Sequence, residues 1–167
     1  MRNLAIGVLL VILASIFIEP LVELLNLGRE NIVIGTAISN SARSAKDRSL
    51  AYEAQRNLDA QVNEKKFVEY FSDALEDALN LTLKDSEYGE RRLVFTSNDG
   101  KYNDITVDLD FEEKENPETE QIVTTVTMEA KTNYQFKTKY LKLAKEAGQN
   151  VDHELVEKRV LVLSIKN

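Results

Sequence analysis

The one histidine of the sequence, His153, stands between Asp152 and Glu154. An imidazole among carboxylates is the elementary kit for general acid–base work or for holding a divalent cation. Here the kit lacks its other parts. The sequence contains no G-x-S-x-G elbow, no H-E-x-x-H helix, no P-loop and no dinucleotide-binding glycine pattern. It contains no cysteine, which excludes a disulfide framework, a thiolate metal site and a thiol nucleophile. A second group is acidic: Asp108 and Asp110 alternate on one strand face, with Asp99, Asp104 and Glu112 near in sequence. Oxygen ligands at that density suit calcium, but the Asn98–Asp104 loop lacks the ligand order of an EF-hand. The expectation is therefore a protein that is not an enzyme, with no cofactor and no metal site.

Glu19 and Glu23 form the third group. They lie four apart, so they share a helical face, and they follow an apolar run from Leu4 to Ile18. An ionised carboxylate is costly in lipid. Either both sit solvated at headgroup level, or a carboxylate at that depth pairs with a positive group of a neighbouring subunit.

These acids are positioned by the N-terminal helix. The Leu4–Ile18 run would span roughly 22 Å, short of a hydrocarbon core of about 30 Å; extended through Leu27 it reaches roughly 36 Å, enough to cross. Residues 1–28 are read as a transmembrane helix, bent near Pro20 where a backbone hydrogen bond is lost. A cleaved secretory signal is the competing reading, with Leu13-Ala14-Ser15 as a loose small-residue cleavage site. With Arg2 at one end and an acidic bulk at the other (formal net charge −7), the N-terminus is expected in the cytoplasm and the rest outside. The acidic balance also argues against nucleic acid as a partner.

Residues 29–62 lack proline and contain a stretch of small side chains from Gly35 to Ala45, read as a helical stem. Ala37, Ser41 and Ala45 are four apart on one face, which suits close helix-to-helix approach. A simply solvated helix is the alternative. No wide apolar stripe is evident, so the stem is expected to pack on another chain and not on its own head.

Residues 63–167 are read as an α+β head. Phe67, Val68, Phe71, Leu75 and Leu79 recur at helical spacing within a helix over residues 63–81. Lys84–Gly89 carries turn signals, and Leu93–Thr96 and Ile105–Phe111 flank Asn98-Asp99-Gly100 as a hairpin. Gln121–Phe136 is a β-prone run long enough to require a bend or bulge. Lys139–Ala147 reads as a short helix and Arg159–Ile165 as the last strand, giving about four antiparallel strands. Asn98–Glu120 holds nine acids against two lysines, while Lys131–Ala147 holds five lysines against one acid. Such segregation suits either self-association or complementarity within the molecule.

Gly28-Arg29 followed by Ala37-Ile38-Ser39-Asn40-Ser41-Ala42-Arg43-Ser44-Ala45 resembles the stem of the TadE-like family, minor pilin-like proteins of tight-adherence pilus systems. Val123–Thr127 followed by Tyr134-Gln135-Phe136-Lys137 and a late strand is similar to that family's closing pattern. Gln135 stands where the family has proline, Ala45 where it has glycine, and Asp47 where a second arginine is usual. Gly7 is followed five residues later by Ile12 and not by the acid of a prepilin-peptidase site. The resemblance implies a membrane-anchored assembly subunit at a bacterial cell surface, pilin-like in fold, partnered by lipid and by itself or other pilin-like subunits. Glu19, Pro20, Ala37, Ser41 and Ala45 are then its expected assembly contacts. A bitopic surface protein whose head binds a partner without entering a filament is the other functional expectation.

Overall fold

The computed structural model describes residues 2–49, 62–87, 91–100, 102–115, 122–134, 143, 145–148 and 153–163. In chain order the elements are α1 (Arg2–Ser49), α2 (Glu64–Leu79), β1 (Leu81–Glu87), β2 (Arg92–Ser97), β3 (Ile105–Glu115), β4 (Ile122–Asn133) and β5 (Glu154–Leu163). The fold is α+β, a long N-terminal helix and a second helix against one antiparallel sheet of order β1-β2-β3-β4-β5. Each strand pairs with its neighbours in sequence, so the sheet is a simple meander, with its longest connection, residues 134–153, between β4 and β5.

Local chemistry sets the shorter helix. Asn63 is the N-cap of α2, its side chain accepting from the Lys66 N–H at 3.1 Å. Asn80 closes the helix in the left-handed region at φ 53 and returns its N–H to the Glu76 carbonyl. Between the caps, Phe67, Val68, Phe71, Leu75 and Leu79 are buried at helical spacing. Phe67 stacks on Phe71 at 6.1 Å and meets Phe111 of β3 edge-on at 5.5 Å, which ties the helix to the sheet. In β3, Ile105, Val107 and Leu109 are buried and their neighbours are not, the alternation of a strand with one wet face.

Three expectations change. The segment read as turns carries a fifth strand, β1, which pairs with β2 through a register shift between Leu83 and Asp85; the bulge admits polar residues that look like a turn in sequence. β4 does not bulge: ten successive positions pair with β3 and ten with β5, so two long partners keep a long strand in one register. The last strand starts at Glu154, earlier than Arg159. The expected helix over 139–147 falls partly outside the described residues; Leu143, Lys145 and Glu146 are helical, and the turn ends at Gly148 with φ 79.

The stem is where tertiary packing overrides the sequence reading most. Ile34, Ala37, Ile38, Ala42 and Ala45 of α1 belong to the same buried core as Phe67, Phe71, Leu75, Leu93, Val107 and Met128. Residues 29–49 are therefore part of the head and not a free rod, while 50–61 of the expected stem lie outside the described residues. α1 runs without interruption through Pro20.

Candidate functional site

The site is built on α1, which divides by exposure. From Leu4 to Leu13 and from Phe17 to Leu25 its large apolar side chains are exposed; from Ile34 to Ser49 one face is buried against α2 and β5. This is the one helix among the described residues long and apolar enough to cross a membrane. Within the apolar half, the Ser15 hydroxyl donates to the Val11 carbonyl at 2.8 Å, so its polar atom is satisfied by its own helix.

At the junction, the head takes in two carboxylates. Glu23 and Glu30 are each only 4% exposed. They are seven apart, the phase of the buried stripe that continues through Ala37. Tyr102, in the β2–β3 connection, donates its hydroxyl to Glu30 Oε2 at 2.9 Å. Tyr134, just after β4, faces Glu23, and its backbone N–H donates to the His153 carbonyl at 2.8 Å. Burial first, then the Glu30 carboxylate, raises the Tyr102 phenol well above the usual tyrosine range. Burial, then the Glu23 and Glu30 charges, pushes Tyr134 up to about 12. Two tyrosines thus grip one helix at successive heights.

This grip changes the reading of the apolar segment. Glu23 is turned into the head, so Leu21, Leu24 and Leu25, at 64%, 69% and 66% exposure, continue the apolar surface beyond Ile18. Leu4 to Leu25 is 22 residues, roughly 33 Å of helix, close to a bilayer core of about 30 Å. Glu19 is half-buried and Pro20 exposed on the same stretch.

Ala37, Ser41 and Ala45 lie elsewhere than expected. All three are buried, at 7%, 2% and 0% exposure, inside their own chain. That corrects the expectation of a stem face presented to another chain: the small side chains bring α1 close to its own α2 and sheet. Gly35 belongs to the same approach, since a Cβ there would meet the Arg159 guanidinium and lie 3.0 Å from Glu157 Oε2. Glu30, Tyr102 and Tyr134 were missed by sequence reasoning. The phase of Glu23 and Glu30 with the stripe was the available signal, hidden because acids at core positions read as surface.

The other chemistry-bearing residues are held apart. The His153 side chain is exposed. Asp108 is bridged by Arg92 at 2.6 Å, and Asp110 is exposed. Asp104 is bridged by Lys84 at 3.2 Å; hydrogen bonds from Thr96 and Lys84 hold its carboxyl below the usual range. Among the described residues no three metal-capable side chains come together. Comparison with protein-family models, curated proteins and solved structures finds no match.

Proposed function

We propose that this chain is a membrane-anchored structural subunit of a tight-adherence or type IV-like pilus, or of its assembly machinery. The observation that carries the reading is the division of α1 into an exposed apolar half of bilayer length and a half built into the head core. An isolated water-soluble protein would leave about 22 residues of apolar helix in water. Each large apolar side chain moved into lipid or against a neighbouring helix contributes roughly 1.5–3 kcal/mol.

In this reading the N-terminus is cytoplasmic and the head lies at the bacterial cell surface. Glu19, half-buried within the outer third of the apolar half, remains the candidate for an intersubunit ion pair, with Pro20 beside it. The alternative, a bitopic surface module that binds without entering a filament, is favoured by one observation: Ala37, Ser41 and Ala45 are already covered by their own head.

Protease added to intact cells should cut the head while leaving a membrane-held N-terminal fragment. Affinity capture from solubilised membranes should recover pilin-like subunits with the wild-type chain and fewer with Glu19→Gln. Protection of the head in intact cells would overturn the orientation. Capture of no pilin-like chain would favour the binding-module alternative.

A further inference from the structure

We propose that the outer face of the β4–β5 corner is a docking surface for a second copy of this chain. On β5, Leu155 and Leu163 are buried on the helix side, whereas Val160 and Val162 are 59% and 52% exposed on the opposite face. In register beside them on β4 are Thr127 and Thr125, and the next outward pair is Glu129 with Lys158. A strip of branched side chains thus ends in an acid and a base side by side. Glu129 is bridged to Lys131 at 2.6 Å, and among the described residues Lys158 makes no ion pair.

The direction of α1 selects the symmetry. Gly28 and Asn31 line one cleft with His153 and Leu155, and Gly35 lies against Glu157 and Arg159, so α1 and β5 advance side by side in the same sense. A two-fold axis normal to the sheet, which would pair two β5 edges antiparallel, points the second α1 the opposite way. Two such anchors could not enter one membrane in the same orientation. A two-fold axis along the strands, between β4 and β5, keeps both helices co-directional and stacks the outer faces about 10 Å apart.

Under that axis each side chain meets the one at equal height on the other copy's adjacent strand. Val160 meets Thr127, Val162 meets Thr125, and Lys158 meets Glu129 twice over. A self-complementary patch is what an isologous contact requires. The patch is small beside a standard interface, and confinement in one membrane supplies the effective concentration that a small contact needs. The choice of axis rests on the anchor reading of α1.

The chain has no native cysteine, so a single one reports without background. In membranes, Val160→Cys treated with a short bismaleimide should yield a band of doubled mass. Val94→Cys, on the same sheet face three strands away, should not. Adding Lys158→Glu or Glu129→Lys to Val160→Cys should each abolish the band, because like charges then meet. Co-expressing those two double variants should restore it, since every contact between unlike chains is again opposite in charge. Equal yields from Val160→Cys and Val94→Cys, or no restoration in the mixture, would overturn the proposal. A chain absent from the membrane fraction would instead defeat the anchor reading, and with it the choice of axis.

Discussion

The Tyr102 hydroxyl reaches Glu30 Oε2 at 2.9 Å across 72 residues of sequence, joining the β2–β3 connection to the long helix. Glu30 is 4% exposed, so this contact satisfies part of a carboxylate that water does not reach. Tyr102→Phe keeps the ring and removes the donor. The head should lose about 1–3 kcal/mol of stability, the cost of leaving a buried acceptor short of a partner. Chemical denaturation of the detergent-solubilised chain measures it; an unchanged midpoint would mean that water replaces the phenol.

High pH tests the second tyrosine. Tyr134 is raised to about 12 in the folded chain against about 10 for an ordinary phenol. The unfolded chain therefore loses this proton first, and stability falls as pH rises from about 10 towards about 12. Below about pH 10 both states keep the proton, and this group adds no slope. Tyr134→Phe should flatten the decline in the unfolding midpoint across that window.

Large residues in the stem should act on folding. Ala42 and Ala45 are each 0% exposed, so Ala42→Leu or Ala45→Leu overfills a closed core and should cost about 1–3 kcal/mol. Ile32 on the opposite side is 69% exposed, and Ile32→Ala should change stability by no more than about 0.5 kcal/mol. If Ala45→Leu kept the wild-type unfolding midpoint and lost only assembly, the small face would have to open in the assembled state.

Gly35 should discriminate by size. The group nearest a Cβ there is the end of a flexible arginine, so Gly35→Ala asks Arg159 only to swing aside. Gly35→Leu must also displace Glu157, whose side chain is 13% exposed, and should destabilise by roughly 1–3 kcal/mol. Comparing both variants in an Arg159→Ala background isolates the arginine's part.

The cap of α2 gives a local test. Asn63→Ala removes the acceptor for the Lys66 N–H and should cost about 1 kcal/mol, whereas Asn63→Asp should keep most of the stability. Circular dichroism of the two variants during thermal unfolding distinguishes them.

What the sequence determined by itself was set by short-range chemistry. The Leu4–Ile18 run, the period of Phe67 to Leu79 and the alternation of Ile105 to Leu109 each depend on neighbours within a few residues, so a long apolar N-terminal helix, the second helix and the central strands were legible. β1 was not, because a bulged strand with polar side chains has the local composition of a turn. Ala37, Ser41 and Ala45 read in sequence as a helix-packing face for another chain, and the second half of that reading is wrong, because they are buried inside their own chain. A stripe of small residues marks close approach to any partner, and the core containing Phe67, Phe71 and Leu93 is the partner that tertiary structure supplied. The same holds for Glu23 and Glu30. In sequence Glu23 reads, with Glu19, as a charge solvated at headgroup level or paired with a neighbouring subunit, and Glu30 carries no reading at all; Tyr102 and Tyr134, dozens of residues away, face them inside the head, and only long-range contact makes a buried carboxylate tolerable.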